Sequence, residues 1–330
     1  MRKFVPFASF AFKKTNRMNK NLDYIENGGV QVGIATKVGG TIVFLSKNGS
    51  PNILKSNEEY WERTEPVTVQ TDFAPICGHT IWLGAQSAWW TQQTANMQKR
   101  NAADVWPPDP FCTLGEYSII EKTESAITLQ SPQSKVWGVV MHKTIAVNPD
   151  GSIFIKAVIQ NVSNQILTWD IWFNTRLDGY AKAYVKTTKE HCKVVPVLNE
   201  NSQEMPFSFV GDYFTYNPCK PETNKGERSS KAFIYPKEPR IFGVTKSHIL
   251  AISFEFHKAE EIHKEHALAE IYNHTEHNGA NALLELEYHS PLVNLQPNEI
   301  TEAWQVWNIF DYDGDNSEQS HINKIQEIEK

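Results

Sequence analysis

The sequence predicts an all-β protein: a single, mostly antiparallel β-sandwich with few short helices. Short alternating or β-branched segments recur along nearly the whole chain, most of them bounded by Gly, Pro, Asn or Ser. They follow one another at roughly 8–12-residue spacing, which favours an antiparallel sandwich over alternating strand–helix units. With 330 residues and 40% hydrophobic content, the chain can bury a large core without disulfides or metals.

The predicted strands are easiest to see on either side of one turn, Asn148-Pro149-Asp150-Gly151. Asp-Gly supplies the positive φ of a tight hairpin turn, so the flanking segments are expected to pair. The predicted strands are Val30–Thr36, Thr41–Leu45, Val67–Gln70, Ser118–Glu121, Ala126–Gln130, Gly138–Val147, Ser152–Gln160, Leu167–Arg176, Ile249–His257, Ala267–Tyr272, Ala282–Tyr288 and Glu302–Ile309.

Helical signals are few. Residues 258–266 predict one short helix, and residues 316–330 predict a polar terminal helix or a frayed end. Residues 199–230, rich in Asn, Pro, Glu and Lys, predict a long loop across one face. We expect three regions: an N-terminal extension (1–27), the β-sandwich domain (28–310) and a polar C-terminal tail (311–330).

The N-terminus only loosely imitates a signal peptide. Met1-Arg2-Lys3 precedes an apolar stretch, but Pro6 interrupts it and Lys13-Lys14 stand where small residues would mark a cleavage site. The sequence therefore favours a cytoplasmic protein, with a periplasmic location as the alternative.

Composition and motifs exclude several functional classes. Lys and Arg number 32 against 38 Asp and Glu, whereas a nucleic-acid binder needs a basic face. No apolar run approaches the roughly 20 residues that span a bilayer, so no membrane partner is expected. The chain has no GxGxxG, GxxxxGK or GxSxG motif, which argues against nucleotide binding and serine hydrolysis. We expect no cofactor, and the sequence does not set an oligomeric state.

Two segments superficially resemble metal sites. Several His residues lie between 257 and 277, but their spacing matches no zinc motif. Residues 311–315 begin like a calcium loop, yet Gly falls at the fourth place and no Glu follows at the twelfth. We therefore predict no metal ligands.

The segment from Gly78 to Pro110 is the most informative for function. It holds His79 and Trp82, and it ends in a stiff Pro-rich stretch around Trp106 and Asp109. Sugars present an apolar C–H face and a hydroxyl rim, so a sugar site needs flat aromatics beside planar polar groups. We predict that these four side chains line one pocket. The alternative is that the Trp residues only cover a sheet face.

Two further segments place polar groups on one strand face. Glu285 and Glu287 are two residues apart, so both carboxylates point the same way on a strand. Asp170, Trp172 and Arg176 likewise share a face, which is costly to bury without a ligand or mutual pairing. A solvated strand face and an internal Asp170–Arg176 network are the respective alternatives.

Several motifs together carry a family resemblance. The opening segments resemble galactose mutarotase-like proteins, and the later ones resemble the DUF4380 family within that superfamily. The motifs are Gly39-Gly40-Thr41-Ile42, Gly49-Ser50-Pro51-Asn52-Ile53-Leu54, Gly78-His79-Thr80-Ile81-Trp82, Trp106-Pro107-Pro108-Asp109-Pro110, Trp172-Phe173-Asn174-Thr175 and the Glu-Leu-Glu to Pro-x-Glu stretch over 285–299. The resemblance covers about residues 28–310 and implies a galactose mutarotase-like β-supersandwich with a carbohydrate site.

The resemblance also implies roles for particular residues. Aldose 1-epimerases open and reclose a hemiacetal ring with a His acid and a Glu base. The base matches Glu287 best, with Glu285 as the alternative. Asp170 stands where the aldose 1-epimerases have their acid His, and His79 comes nearest to their other substrate-contacting His. Two hypotheses follow for a small-molecule carbohydrate ligand, either a sugar or a uronate. One is an enzyme with Glu287 as base and His79 or Asp170 as acid; the other is a non-catalytic carbohydrate-binding protein.

Overall fold

Short strands form most of the regular secondary structure of the described chain, which comprises residues 19–223 and 226–330 of a computed structural model. The strands are β1 (Asp23–Asn27), β2 (Val30–Ala35), β3 (Thr41–Lys47), β4 (His79–Gly84), β5 (Ser118–Lys122), β6 (Ala126–Gln130), β7 (Val139–Val147), β8 (Ile153–Asn161), β9 (Leu167–Asp178), β10 (Lys182–Lys186), β11 (Cys192–Pro196), β12 (Ser202–Gln203), β13 (Phe207–Val210), β14 (Tyr213–Tyr216), β15 (Glu227–Ile234), β16 (Arg240–Val244), β17 (His248–Phe254), β18 (Ala269–Glu276), β19 (Leu283–His289), β20 (Val293–Leu295) and β21 (Ile300–Asp311).

These strands form two sheets. The first sheet has eleven strands and follows the order β1-β2-β3-β4-β9-β19-β18-β15-β11, with β12 beside β15 and β20 beside β9. The second sheet has ten strands in the order β13-β14-β10-β16-β17-β21-β8-β7-β6-β5. Within the described residues, β12 and β15 pair in parallel and all other strand pairs are antiparallel. The predicted all-β, mostly antiparallel sandwich is confirmed.

The main core lies between the inner faces of the two sheets. Residues alternate along β9, so that Phe173 and Leu177 point inward while their neighbours point outward. The Phe173 ring stacks on Tyr288 of β19, and Tyr288 stacks in turn on Phe254 of the second sheet, with ring centroids 4.5 Å apart. Gly243 of β16 lies directly against Leu177, where a Cβ atom would come within 2.4 Å of the leucine. The opposite face of the first sheet is therefore turned away from the second sheet.

Helices are short and few in the described residues, as expected. They are α1 (Met97–Ala102), α2 (Pro110–Leu114) and α3 (Glu318–Ile328), and single 3-10 turns occur at Glu58–Tyr60, Gln86–Ala88, Lys189–His191 and Ala259–Glu261. No helix among the described residues is long and apolar enough to cross a membrane.

Three local predictions are corrected. Residues 258–266 form only the 3-10 turn Ala259–Glu261, because the Glu261 side chain bonds back to the Lys258 backbone N–H at 2.8 Å and the chain then turns inward to bury Ile262. Residues 67–70 lie in a loop, with no ladder partner among the described residues. The predicted loop over 199–230 contains β12, β13, β14 and the start of β15, since its few aromatic residues pair across β13 and β14.

The segments at the two ends of the described chain both pack onto the sandwich, one as a strand and the other as a helix. Residues 1–18, most of the predicted N-terminal extension, lie outside the described residues, and β1 pairs with β2 along its whole length. The C-terminal residues form α3, which packs Ile322 and Ile325 against the second sheet.

Candidate functional site

The outer face of the first sheet carries three rows of aromatic and polar side chains. Residues directly opposite each other on neighbouring strands share a face, so the register defines each row. One row is Arg176–Glu285–Tyr272–Lys231, contributed by β9, β19, β18 and β15. The other two are Trp82–Trp172–His289 and Thr80–Asn174–Glu287–Glu270. Five strands, β4, β9, β15, β18 and β19, thereby contribute side chains to one surface.

A cavity of about 420 Å³ opens over these rows. Its polar lining consists of Gln86, Thr80, Arg176, Lys231, Tyr272 and Glu285 together with Cys77 and Thr113. Its aromatic lining consists of Phe73, Trp82, Trp106 and Trp172, in addition to the Tyr272 ring. The Trp82 ring stands edge-on to Trp172 at 5.0 Å and to Trp106 at 6.3 Å. The cavity therefore combines indole surfaces with charged groups.

An ion pair between Arg176 and Glu285 forms part of the cavity wall. The Arg176 Nε donates to Glu285 Oε1 at 2.7 Å, and its Nη1 donates to the Thr80 hydroxyl at 2.8 Å. The guanidinium lies 5.0 Å from the centre of the Trp82 ring, close enough for a cation–π contact. The Glu285 side chain keeps 15% of its surface exposed, so it can meet a ligand.

Lys231 joins the cavity to two buried carboxylates. Its Nζ lies 2.6 Å from Glu270 Oε2 and 3.1 Å from Glu287 Oε2, and 4.8 Å from the centre of the Trp172 ring. The Trp172 Nε1 also donates to Glu287 Oε2, at 2.6 Å. Burial raises the pKa of Glu287 to about 7, although Lys231 opposes this shift. Burial alone would lower the pKa of Lys231, but the attraction of Glu270 and Glu287 raises it.

His289 continues this network beneath the cavity. Its Nδ1 lies 3.4 Å from Asp170 Oδ1, and its Nε2 lies 3.6 Å from Glu270 Oε1. Burial would lower the pKa of His289, but Glu270 and Asp170 raise it to about 9. The His266 ring stacks on His289 at 3.9 Å, and burial together with the charge on His289 lowers the pKa of His266. We call Asp170, His266, Glu270, Glu287, His289 and Lys231 the buried network.

The buried network includes two sets of side chains with metal-ligand chemistry. Their ligand atoms lie within 4.8 Å of one another in Asp170, His266 and His289, and again in Glu270, Glu287 and His289. The Lys231 ammonium already lies between Glu270 and Glu287, and a protonated His289 bridges Asp170 and Glu270. The protein thus supplies its own cations to these carboxylates.

Some buried polar atoms beside the cavity floor lack hydrogen-bond partners among the described residues. They are both amide atoms of Asn174, the Oε1 of Glu287 and the Nε1 of Trp82. Asn174 lies directly opposite Glu287 and between Trp172 and Arg176 along β9. Buried polar groups are normally paired, so these atoms provide unused hydrogen-bonding capacity under the floor.

The family model described as "Domain of unknown function (DUF4380)" matches residues 22–310. The chain belongs to this family. No curated protein matches the DUF4380 chain.

Solved structures share the fold of the DUF4380 chain at low sequence identity. A galactose mutarotase-like protein from Lactobacillus casei has 13% identity and a TM-score of 0.56, with 88% of this chain and 100% of that chain covered. A galactose mutarotase related enzyme from Lactobacillus acidophilus has 9% identity and a TM-score of 0.53, covering 90% and 99%. The Slr1438 protein from Synechocystis has 13% identity and a TM-score of 0.52, covering 88% and 96%. The DUF4380 chain therefore has the predicted galactose mutarotase-like fold.

Five of the side chains that the sequence singles out line the cavity of this DUF4380 protein. They are Trp82, Trp106, Trp172, Arg176 and Glu285. Glu287 and Asp170 share their face of the sheet but lie fully buried beneath the cavity, in the buried network. The alternative of a direct Asp170–Arg176 pair does not occur, because Arg176 pairs with Glu285 and Asp170 pairs with His289.

The placement of His79 in the cavity is wrong. His79 is three residues from Trp82 on β4, so the two side chains point to opposite faces of the sheet. The His79 ring lies in the core between Phe173 and Trp307, and its Nδ1 lies 2.9 Å from the Thr175 hydroxyl. Burial lowers the pKa of His79 well below its usual range, so the ring is neutral.

The placement of Asp109 in the cavity is also wrong. Asp109 is the N-cap of α2, and its carboxylate accepts hydrogen bonds from the Phe111 backbone N–H, the Ser134 hydroxyl and the Trp137 backbone N–H. It is fully buried, and burial raises its pKa to about 6. Asp109 therefore holds the helix and the 134–137 segment together.

Sequence reasoning missed the partners that β15 and β18 contribute. Lys231, Tyr272 and Glu270 lie on strands where polar and apolar residues alternate, but nothing in the sequence aligns these strands with β19. His289 follows Glu287 at a spacing of two, so period-two alternation places it on the same face. This spacing was the signal that could have identified His289.

Proposed function

We propose that this DUF4380 protein binds a carbohydrate in the cavity on the outer face of the first sheet. The supporting observation is that indole rings and the Arg176–Glu285 ion pair line the same cavity. A sugar ring has apolar C–H faces and a rim of hydroxyls, so flat aromatics beside charged hydrogen-bonding groups suit it. The volume of about 420 Å³ lies within the range of roughly 300–1,000 Å³ that small-molecule sites occupy.

The cavity wall retains hydrogen-bonding capacity for hydroxyl groups. Arg176 uses one N–H toward Glu285 and one toward Thr80, so three of the five guanidinium donors have no such partner among the described residues. The Ser229 hydroxyl donates to Tyr272 Oη at 2.9 Å, which leaves the Tyr272 O–H able to donate to a ligand. These groups can bind hydroxyls that face away from the indole rings.

Trp106 offers the first test, because its side chain is 45% exposed and can be shortened without opening the core. We expect Trp106→Ala to weaken binding of the best sugar from a panel of mono- and oligosaccharides by about two- to tenfold, the effect of losing about 0.5–1.5 kcal/mol of stacking. Isothermal titration calorimetry measures the change. The matched control is Ile120→Ala, an exposed apolar residue on β5 of the second sheet. Unchanged affinity in Trp106→Ala would contradict the proposed site.

A second candidate function is acid–base chemistry on the bound sugar, with Glu287 as the base. The observation in favour is a carboxyl with a pKa near 7 directly behind Lys231 and Trp172, two residues that line the cavity. A general base works best when its pKa lies near the operating pH. Glu287 is fully buried, so contact with a ligand requires the Lys231 side chain to move aside.

Glu287→Gln tests this second candidate. Gln keeps the shape but cannot accept the proton, so ring opening or epimerisation of a bound sugar should fall by about 10²- to 10⁴-fold while binding largely survives. Glu299→Gln, in the exposed turn before β21, is the control and should be close to neutral. If the wild type binds the sugar without turnover, the protein is a non-catalytic carbohydrate-binding protein. If Glu287→Gln keeps full activity, the base is another group, and Glu285 on the cavity wall is the next to test.

A further inference from the structure

Exposure separates the lining of the cavity into a floor and a rim. The floor residues Thr80, Trp172 and Arg176 are buried. Thr80 supplies a hydroxyl and Arg176 a guanidinium, and the Trp172 N–H bonds to Glu287. The exposed lining residues are Phe73, Pro75, Trp106 and Val197, and the Trp106 indole N–H is their only polar side-chain group. A ligand that fills the cavity therefore meets charged and polar groups at its inner end and mainly hydrocarbon at its outer end.

The rim residues lie on two sides of the cavity. Phe73 packs against Trp106 with ring centroids 4.7 Å apart, on the side of β4. Val197 follows β11 and bonds to the Ser229 carbonyl of β15 at 3.1 Å, on the other side. The polar lining residue beside Trp106 is Gln86, and its Nε2 already donates to the Val105 carbonyl at 2.9 Å. Phe73, Pro75 and Val197 offer a second sugar unit no side-chain hydrogen-bond partner, whereas an apolar group placed against them would gain free energy by leaving water.

We infer, on the basis of the proposed carbohydrate binding, that the ligand is a glycoside with an apolar aglycone. The sugar ring lies on the floor beside Arg176 and Glu285 with Trp106 against its C–H face, and an aryl or alkyl group lies further out, between Phe73 and Val197. Removing that group from water supplies binding free energy in proportion to its apolar area. A glycoside has no free anomeric hydroxyl, so a ligand of this class is bound without ring opening.

The experiment compares methyl and phenyl glycosides by isothermal titration calorimetry with the full chain. The test compounds are the methyl and phenyl β-D-glucopyranosides, β-D-galactopyranosides and β-D-glucuronides, together with cellobiose, lactose and phenol. For the sugar that binds, we expect the phenyl glycoside to bind about tenfold more tightly than the methyl glycoside. Val197→Ser should reduce this ratio to below about threefold while the affinity for the methyl glycoside stays the same. Ile120→Ser, at a remote exposed position, is the matched control.

The remaining outcomes separate this inference from the proposed function. Equal affinity for methyl and phenyl glycosides would overturn the inference and leave carbohydrate binding intact, as would tighter binding of cellobiose or lactose. Phenol binding as tightly as the phenyl glycosides, or failure of every glycoside and disaccharide to bind, would overturn both. If Val197→Ser loses methyl glycoside binding as well, the rim serves the sugar itself and the inference is wrong.

Discussion

Lys143 carries an amino group into the core between the sheets. It lies on β7, and its Nζ donates to the Gly39 carbonyl at 2.7 Å and lies 4.8 Å from the centre of the Tyr117 ring. No carboxylate within the described residues forms an ion pair with it. Burial therefore lowers the pKa of Lys143 to about 7.

This shift makes the free energy of unfolding depend on pH. The unfolded lysine titrates near pH 10.4, so between about pH 7 and 10.4 the unfolded chain binds more protons and stability rises with pH. We expect Lys143→Met to be more stable than the wild type by a few kcal/mol, to order of magnitude, at or below pH 7, and this advantage to vanish near pH 10.5. Urea unfolding at pH 6.5 and pH 10.5 measures the difference. If Lys143→Met and the wild type differed in free energy of unfolding by the same amount at both pH values, burial of the charged Lys143 would not destabilise the folded state.

Two glutamates show how far reasoning at the scale of residues reaches. Alternation places Glu285 and Glu287 on one face, and the structure agrees. Their environments differ because the partner of Glu285 is Arg176, 109 residues away, whereas Glu287 meets Lys231, 56 residues away. The sequence shows the shared face, but only the assembled sheet separates an accessible carboxylate from a buried one.

The terminal helix shows how an element can be polar in composition and still be tightly held. Helix α3 begins after Ser317, whose hydroxyl accepts from the Ser320 backbone N–H, and it buries His321, Ile322 and Ile325. This stripe packs against Tyr184 and other residues of the second sheet. The sequence left open whether this segment frays, since its apolar stripe is narrow.

Ile325→Ala tests whether α3 contributes to global stability. Ile325 is fully buried, so the truncation should lower the free energy of unfolding by about 2–5 kcal/mol. The matched control is Gln326→Ala on the exposed side of the same helix, which should change it by less than about 0.5 kcal/mol. Chemical denaturation of both variants measures the effect. Equal stability of the two variants would mean that α3 opens independently of the sandwich.

The two misplaced residues follow element rules that the sequence does contain. On a strand, a separation of three puts His79 and Trp82 on opposite faces, but this inference needs β4 to be recognised as a strand first. Asp109 directly before Pro110 is the pattern of an N-cap followed by proline at the first helical position. A five-residue helix inside a Pro-rich stretch gives too short a periodic signal to favour that interpretation over a loop.

At the scale of the whole molecule, the sequence predicts the architecture better than the site. Eleven of the twelve predicted strand segments, including the one over β9, overlap observed strands, because most of these strands turn one face toward the main core. Lys231 and Glu270 complete the site from strands whose neighbours are set by sheet order, and no local pattern encodes that order. Segments rich in Trp and carboxylate residues therefore indicate where the cavity lies. The order of strands in the sheet determines which side chains line it.

The strand order of the first sheet also bears on how the protein folds. The cavity wall needs β9 to pair with both β4 and β19, and its two defining contacts join residues 96 and 109 positions apart. Closing loops of this length costs chain entropy before any contact repays it, and topologies rich in such contacts fold slowly. A nascent or partly folded chain can form the local hairpin of β7 and β8 long before these strands meet. The cavity is therefore complete only in molecules in which the central strands of the first sheet have all assembled.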